Sequence, residues 1–73
     1  MKPDKRALAE WMLAGKKPRE FEALGLMHDN RLYSILDKWT NKGWIDYGVS
    51  VRYAWLTDEG KAALRARLAP PTS

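Results

Sequence analysis

The chain has 73 residues, with 13 Lys and Arg against 9 Asp and Glu, a formal charge of +4 and no cysteine. A chain of this length buries only about 60% of its unfolded surface, so it makes one small domain and not two. Without cysteine there is no disulfide framework, no thiolate zinc site and no cysteine nucleophile, and the fold must rest on packing alone. The 45% apolar and 30% charged fractions are those of a globular domain rather than a disordered chain.

No run approaches the roughly 18 uninterrupted apolar residues of a membrane span. The basic start, Lys2, Lys5 and Arg6, leads into an amphipathic stretch and not the apolar core of a secretory signal, so the expected address is the cytoplasm. A pI near 9.6 favours polyanion partners. The cations form three clusters: Lys2, Lys5 and Arg6; Lys16, Lys17 and Arg19; Lys61, Arg65 and Arg67. The acids Glu20, Glu22, Asp29, Asp37, Asp58 and Glu59 are interspersed, so charge alone does not separate a polyanion binder from an ordinary soluble surface.

Residues 4–14 are expected to form the first helix, with Ala7, Leu8, Trp11 and Met12 as its apolar stripe and Asp4 as its N-cap. Gly15 stands where a left-handed C-terminal cap belongs. Pro18 suits a first helical position, and a short second helix follows that presents Phe21 and Leu24 on one side and ends at Gly25. A third helix is expected over residues 29–42, with Asp29 as N-cap and Gly43 closing it. Leu32, Ile35, Leu36 and Trp39 fall at i, i+3, i+4 and i+7, which gives it one buried face. The other face is left to Asn30, Arg31, Tyr33, Ser34, Asp37, Lys38 and Asn41.

After Gly43 the hydrophobic period falls from 3.6 to 2. Trp44–Tyr47 and Val51–Leu56 read as strands joined through Gly48-Val49-Ser50 into an antiparallel hairpin. Thr57 is a good N-cap for a last helix, with Asp58 and Glu59 favourable in its first turn and Ala62, Ala63, Leu64 and Leu68 as its stripe. Residues 70–73 read as a frayed tail. Of the tryptophans, Trp11 and Trp39 are expected in the core, while Trp44 and Trp55 are expected to be partly exposed. The whole is mainly helical with a small β-hairpin, in the order α-α-α-β-β-α, as one domain over residues 1–69.

That order, with Leu32, Leu36, Trp39, Gly43 and Ile45, then Arg52, Leu56-Thr57 and Gly60, resembles the winged helix-turn-helix core of MarR-like and PadR-like regulators. The resemblance spans residues 20–66, most of the chain. It implies a double-stranded-DNA-binding protein, a transcription regulator of a bacterium or phage, that reads the major groove with its third helix. On that helix Arg31 can take guanine in a forked contact, Asn30 can take adenine, and Tyr33, Ser34 and Lys38 have chemistry for bases or phosphates. Lys17 and Arg19, at the start of the second helix, suit a phosphate, and Arg52 on the wing suits the backbone or the flanking minor groove.

Nothing in the chain points to catalysis, a cofactor or a metal. His28 is the only histidine and is expected to pack or cap at the turn; Glu20 and Glu22, two apart, point to different sides of a helix. Ser34 has no base partner, and there is no glycine-rich phosphate loop. Two other readings stand beside the regulator. The domain is a protein-interaction module, an adaptor or inhibitor of a larger machine anchored through Trp44 and Trp55, a reading prompted by the acids near the third helix and the sparse wing. Or it is an accessory DNA binder in replication or excision of a mobile element. The oligomeric state is left open between a monomer and a homodimer.

Overall fold

The computed structural model of the protein describes residues 1–69; the expected tail at 70–73 lies outside them. Helices α1 (Pro3–Leu13), α2 (Pro18–Ala23) and α3 (Asp29–Asn41) are followed by strand β1 (Ile45–Asp46), a 3-10 turn (Val51–Tyr53), strand β2 (Trp55–Leu56) and helix α4 (Asp58–Leu68). The chain is thus mainly helical with a small antiparallel hairpin, in the order α-α-α-β-β-α.

The N-termini differ from the sequence expectation at two caps. Pro3 opens α1 with Lys2 at the N-cap, so Asp4 lies inside the first turn, where its carboxylate accepts from the Lys5 N–H at 2.8 Å and reaches across to Arg31. At α3 the cap is His28, whose Nδ1 accepts from the Asn30 N–H at 3.2 Å; Asp29 is the first helical residue, where its charge favours the helix dipole. At the other end of α3, Gly43 takes φ +77°, its N–H donates to the Thr40 carbonyl and the Trp44 N–H donates to the Trp39 carbonyl at 2.9 Å. That pair of bonds is a Schellman closure, which needs a left-handed residue between helix and strand. The same closure ends α1 around Gly15.

All four apolar residues of the α3 stripe are buried, and Leu36 and Trp39 are at most 1% exposed. Phe21 joins them from α2, but Leu24 is 53% exposed. With α2 ending at Ala23, Leu24 lies beyond its last turn, and the core position at this corner belongs to Met27.

The hairpin is shorter than expected. Ile45 pairs with Leu56 and Asp46 with Trp55, two residues on each side. Val51–Tyr53 does not extend the strand, because Ser50 diverts it: the Ser50 hydroxyl accepts from the Arg52 N–H and the Ser50 carbonyl from the Tyr53 N–H. The start of α4 is clasped to the turn after α3. Thr57 caps α4 by accepting from the Gly60 N–H at 3.0 Å, donates its hydroxyl to the Gly43 carbonyl at 2.7 Å, and gives its N–H to the Trp44 carbonyl at 2.9 Å. Gly60 is buried against that same peptide, and a Cβ added there would stand 2.7 Å from the carbonyl carbon of Trp44 and 2.8 Å from its Cα. Both obstacles are backbone and cannot swing aside. Gly60→Ala should therefore cost at least about 2 kcal/mol in urea unfolding, through overpacking, although alanine is the better helix former. A loss under about half that would mean that α4 does not press on the Trp44 peptide.

Candidate nucleic-acid interface

Because α3 turns its apolar stripe inward, Asn30, Ser34, Asp37 and Asn41 lie along its exposed side. Residues two apart on a helix diverge by about 200°. Arg31 and Tyr33 therefore leave this ridge on opposite sides, and each meets a different neighbour.

On the Arg31 side stands the first turn of α1. The guanidinium forks onto Asp4, with Nε donating to Oδ2 and the second nitrogen contact to Oδ1 at 3.0 Å. This pair ties the start of α1 to the start of α3. Hydrogen bonding from Arg31 holds the Asp4 carboxyl down to about 2, against an ordinary 3.8. Between the two helices runs an open groove of about 670 Å³, to which α1 contributes Lys2 and Lys5 and α3 contributes Asn30, Arg31, Ser34 and Lys38. Lys5 is half-buried there, and its pKa is lowered, first by that burial and then by the positive charges of Lys42, Lys38, Arg67 and Arg31.

On the Tyr33 side stand α2 and the 3-10 turn. The Tyr33 hydroxyl donates to Glu22 Oε2 at 2.8 Å and accepts from Arg52 Nε at 2.7 Å. Burial, and then the hydrogen bond to Glu22, raise the Tyr33 pKa. Arg19 donates to the Tyr53 hydroxyl at 2.7 Å. Arg52 and Arg19 thus lie on the flank of α3 opposite to Lys2 and Lys5.

The eight residues singled out from sequence do not form one patch. Asn30, Arg31, Ser34 and Lys38 share the groove; Tyr33 and Arg52 are bonded to each other; Arg19 is held by Tyr53. Lys17 belongs elsewhere, in a cleft with Lys16, Trp55 and Lys61. Arg31 and Tyr33 spend their polar groups inside the protein, so they brace the ridge, while Asn30, Ser34 and Lys38 are its free members. Lys2 and Lys5 were visible in the sequence only as a basic cluster; what brings them to α3 is the Asp4–Arg31 pair, for which a lone Asp near the N-terminus gives no sign. Trp44 is corrected outright. It is buried, tilted on Trp39 with ring centroids 6.4 Å apart, and covered by Lys42 at 4.5 Å and Arg67 at 5.0 Å, whereas Trp55 is 47% exposed.

No family model, no curated protein and no solved structure matches this chain. What the surface can do is therefore read from its own groups. A ridge bearing a side-chain amide and a hydroxyl can meet base edges, and cations on both flanks can meet phosphates. No helix among the described residues is long and apolar enough to cross a membrane.

The tether carries a pH signature. A carboxyl depressed in the folded state contributes stability that is complete above 3.8, declines as the pH falls below that value and is gone below about 2. Acid titration of unfolding should show this decline in the wild type, and Asp4→Asn should flatten it while lowering stability at neutral pH. An unchanged acid profile in Asp4→Asn would exclude the pair as a tether.

Proposed function

We propose that the protein binds double-stranded DNA, laying the exposed ridge of α3 in the major groove and the cations on its two flanks against the phosphates. One observation carries this reading. The groove beside α3 gathers Lys2, Lys5, Arg31 and Lys38 with no carboxylate in its lining, and Asp4, the acid beside it, is neutralised by Arg31. Phosphate contacts place a protein on the duplex, and base contacts select the sequence. Lys2, Lys5, Lys38, Arg52 and Arg19 take the first role here. Asn30 and Ser34 take the second, with Asn30 matched to adenine and Arg31 acting as a brace rather than a reader of guanine. Asp37, exposed on the same ridge, repels the backbone and suits only a cytosine amino group. The biological setting that fits best is a small cytoplasmic transcription regulator of a bacterium or phage.

The binding is electrostatic in its bulk and so must respond to salt. With five phosphates neutralised, log K should fall against log salt with a slope of roughly −4 to −5. Replacing Lys5 and Lys38 together by alanine should make that slope shallower by about 2 and weaken specific and random duplex alike. Asn30→Ala should instead leave random duplex unaffected and cost about 1–3 kcal/mol on the preferred site, once selection from a random library has defined it. Asp37→Asn should strengthen binding to random duplex. Gel-shift titrations at two salt concentrations measure all of these, and a slope near zero, or a Lys5/Lys38 variant indistinguishable from wild type, would exclude the proposal.

A further inference from the structure

The cleft that holds Lys17 shares no residue with the groove beside α3. The two lie towards opposite ends of α1, a helix of 11 residues and so about 16 Å long. The cleft encloses about 200 Å³ between the α1–α2 connection, β2 and α4. Buried Met12, Ala54 and Leu56 make its floor, and the exposed side chains at its rim are Lys16, Lys61 and Trp55, with Lys17 half-buried between them.

This cleft is held open by the fold. The Schellman closure at Gly15 fixes the α1–α2 connection, and the Trp11 indole N–H donates to the Lys17 carbonyl at 2.8 Å. Lys16 stands over the Trp11 ring at 4.3 Å and Lys17 beside the Trp55 ring at 5.6 Å. No carboxylate lines the cleft, while three lysines, Lys16, Lys17 and Lys61, contribute to its wall.

We infer that this cleft docks an acidic segment of a partner protein, one apolar side chain entering it beside Trp55 and flanking carboxylates meeting Lys16, Lys17 and Lys61. The anatomy is that of a small protein interface, with a desolvated apolar centre next to an indole and a charged rim that chooses the partner. The volume suits a single side chain. A nucleic acid strand fits less well, because the lining offers a single aromatic ring for stacking and no side-chain hydrogen-bond acceptor for a base edge. The inference stands apart from the DNA reading, since the cleft shares no lining residue with the groove beside α3.

The test is an amide and indole NMR titration of the full chain with three probes. They are a short blocked peptide with one leucine between pairs of glutamates, the same peptide with serine for leucine, and an oligothymidylate single strand. The leucine peptide should shift Lys16, Lys17, Lys61 and the Trp55 indole, leave Asn30, Ser34 and Lys38 in place, and bind roughly tenfold more tightly than the serine peptide. Trp55→Ala and Lys61→Glu should each weaken it by about the same factor, with the remaining spectrum unchanged. If Trp55→Ala fails to fold, Lys61→Glu decides alone. Absence of shifts at about 1 mM peptide, equal affinity for the serine peptide, or tighter binding of the oligothymidylate at the same resonances overturns the inference.

Discussion

The surface of this domain takes its arrangement from the burial of Leu32, Ile35, Leu36 and Trp39. Fully burying such side chains is worth about 1.5–3 kcal/mol each. The rotation of α3 about its own axis is therefore fixed more firmly than any surface contact could fix it, and its polar side must face solvent. The ion pair of Arg31 and Asp4 is solvent-accessible and adds comparatively little to stability. Its contribution is one of position: α3 is set by the core, and the first turn of α1, with Lys2 and Lys5, is set against α3.

The same division explains why residues with suitable chemistry have unequal roles. Arginine and tyrosine have the most versatile polar groups on α3, yet both are committed within the protein, to Asp4 and to the Glu22–Arg52 pair. They hold the ridge between two cationic flanks. The free groups are smaller, Asn30 and Ser34, which suits the proposed approach of this helix to base edges. At the opposite end of α1 the cations meet an exposed indole and an apolar floor, a chemistry different from that of the groove beside α3.

Helix positions, the α3 core face, the left-handed glycines at positions 15 and 43, the Thr57 cap and the antiparallel hairpin were all legible in the sequence, because each depends on local spacing or on one residue's backbone preference. Elsewhere a competing local bond or a long-range neighbour decides the structure. Ser50 closes a 3-10 turn on Arg52 and Tyr53, which alternation alone cannot reveal. His28, and not Asp29, is the N-cap of α3, its imidazole accepting from the Asn30 N–H. Part of the shelter of Trp44 comes from Arg67, which lies 23 positions further along the chain and outside any window of sequence around Trp44. The α1 side of the candidate site was likewise invisible, since Lys2 and Lys5 reach α3 through a contact between positions 4 and 31.

The most direct test of the central claim is to map where a duplex touches the protein, by following backbone amide shifts as DNA is added at low and at near-physiological salt. The account predicts shifts concentrated at Asn30, Ser34 and Lys38 on α3 and at Lys2 and Lys5 on α1, shrinking together as salt rises, with Lys61 and Trp55 unmoved. Shifts confined to the Lys16, Trp55 and Lys61 end, or a spectrum that does not respond to duplex at low salt, would contradict it.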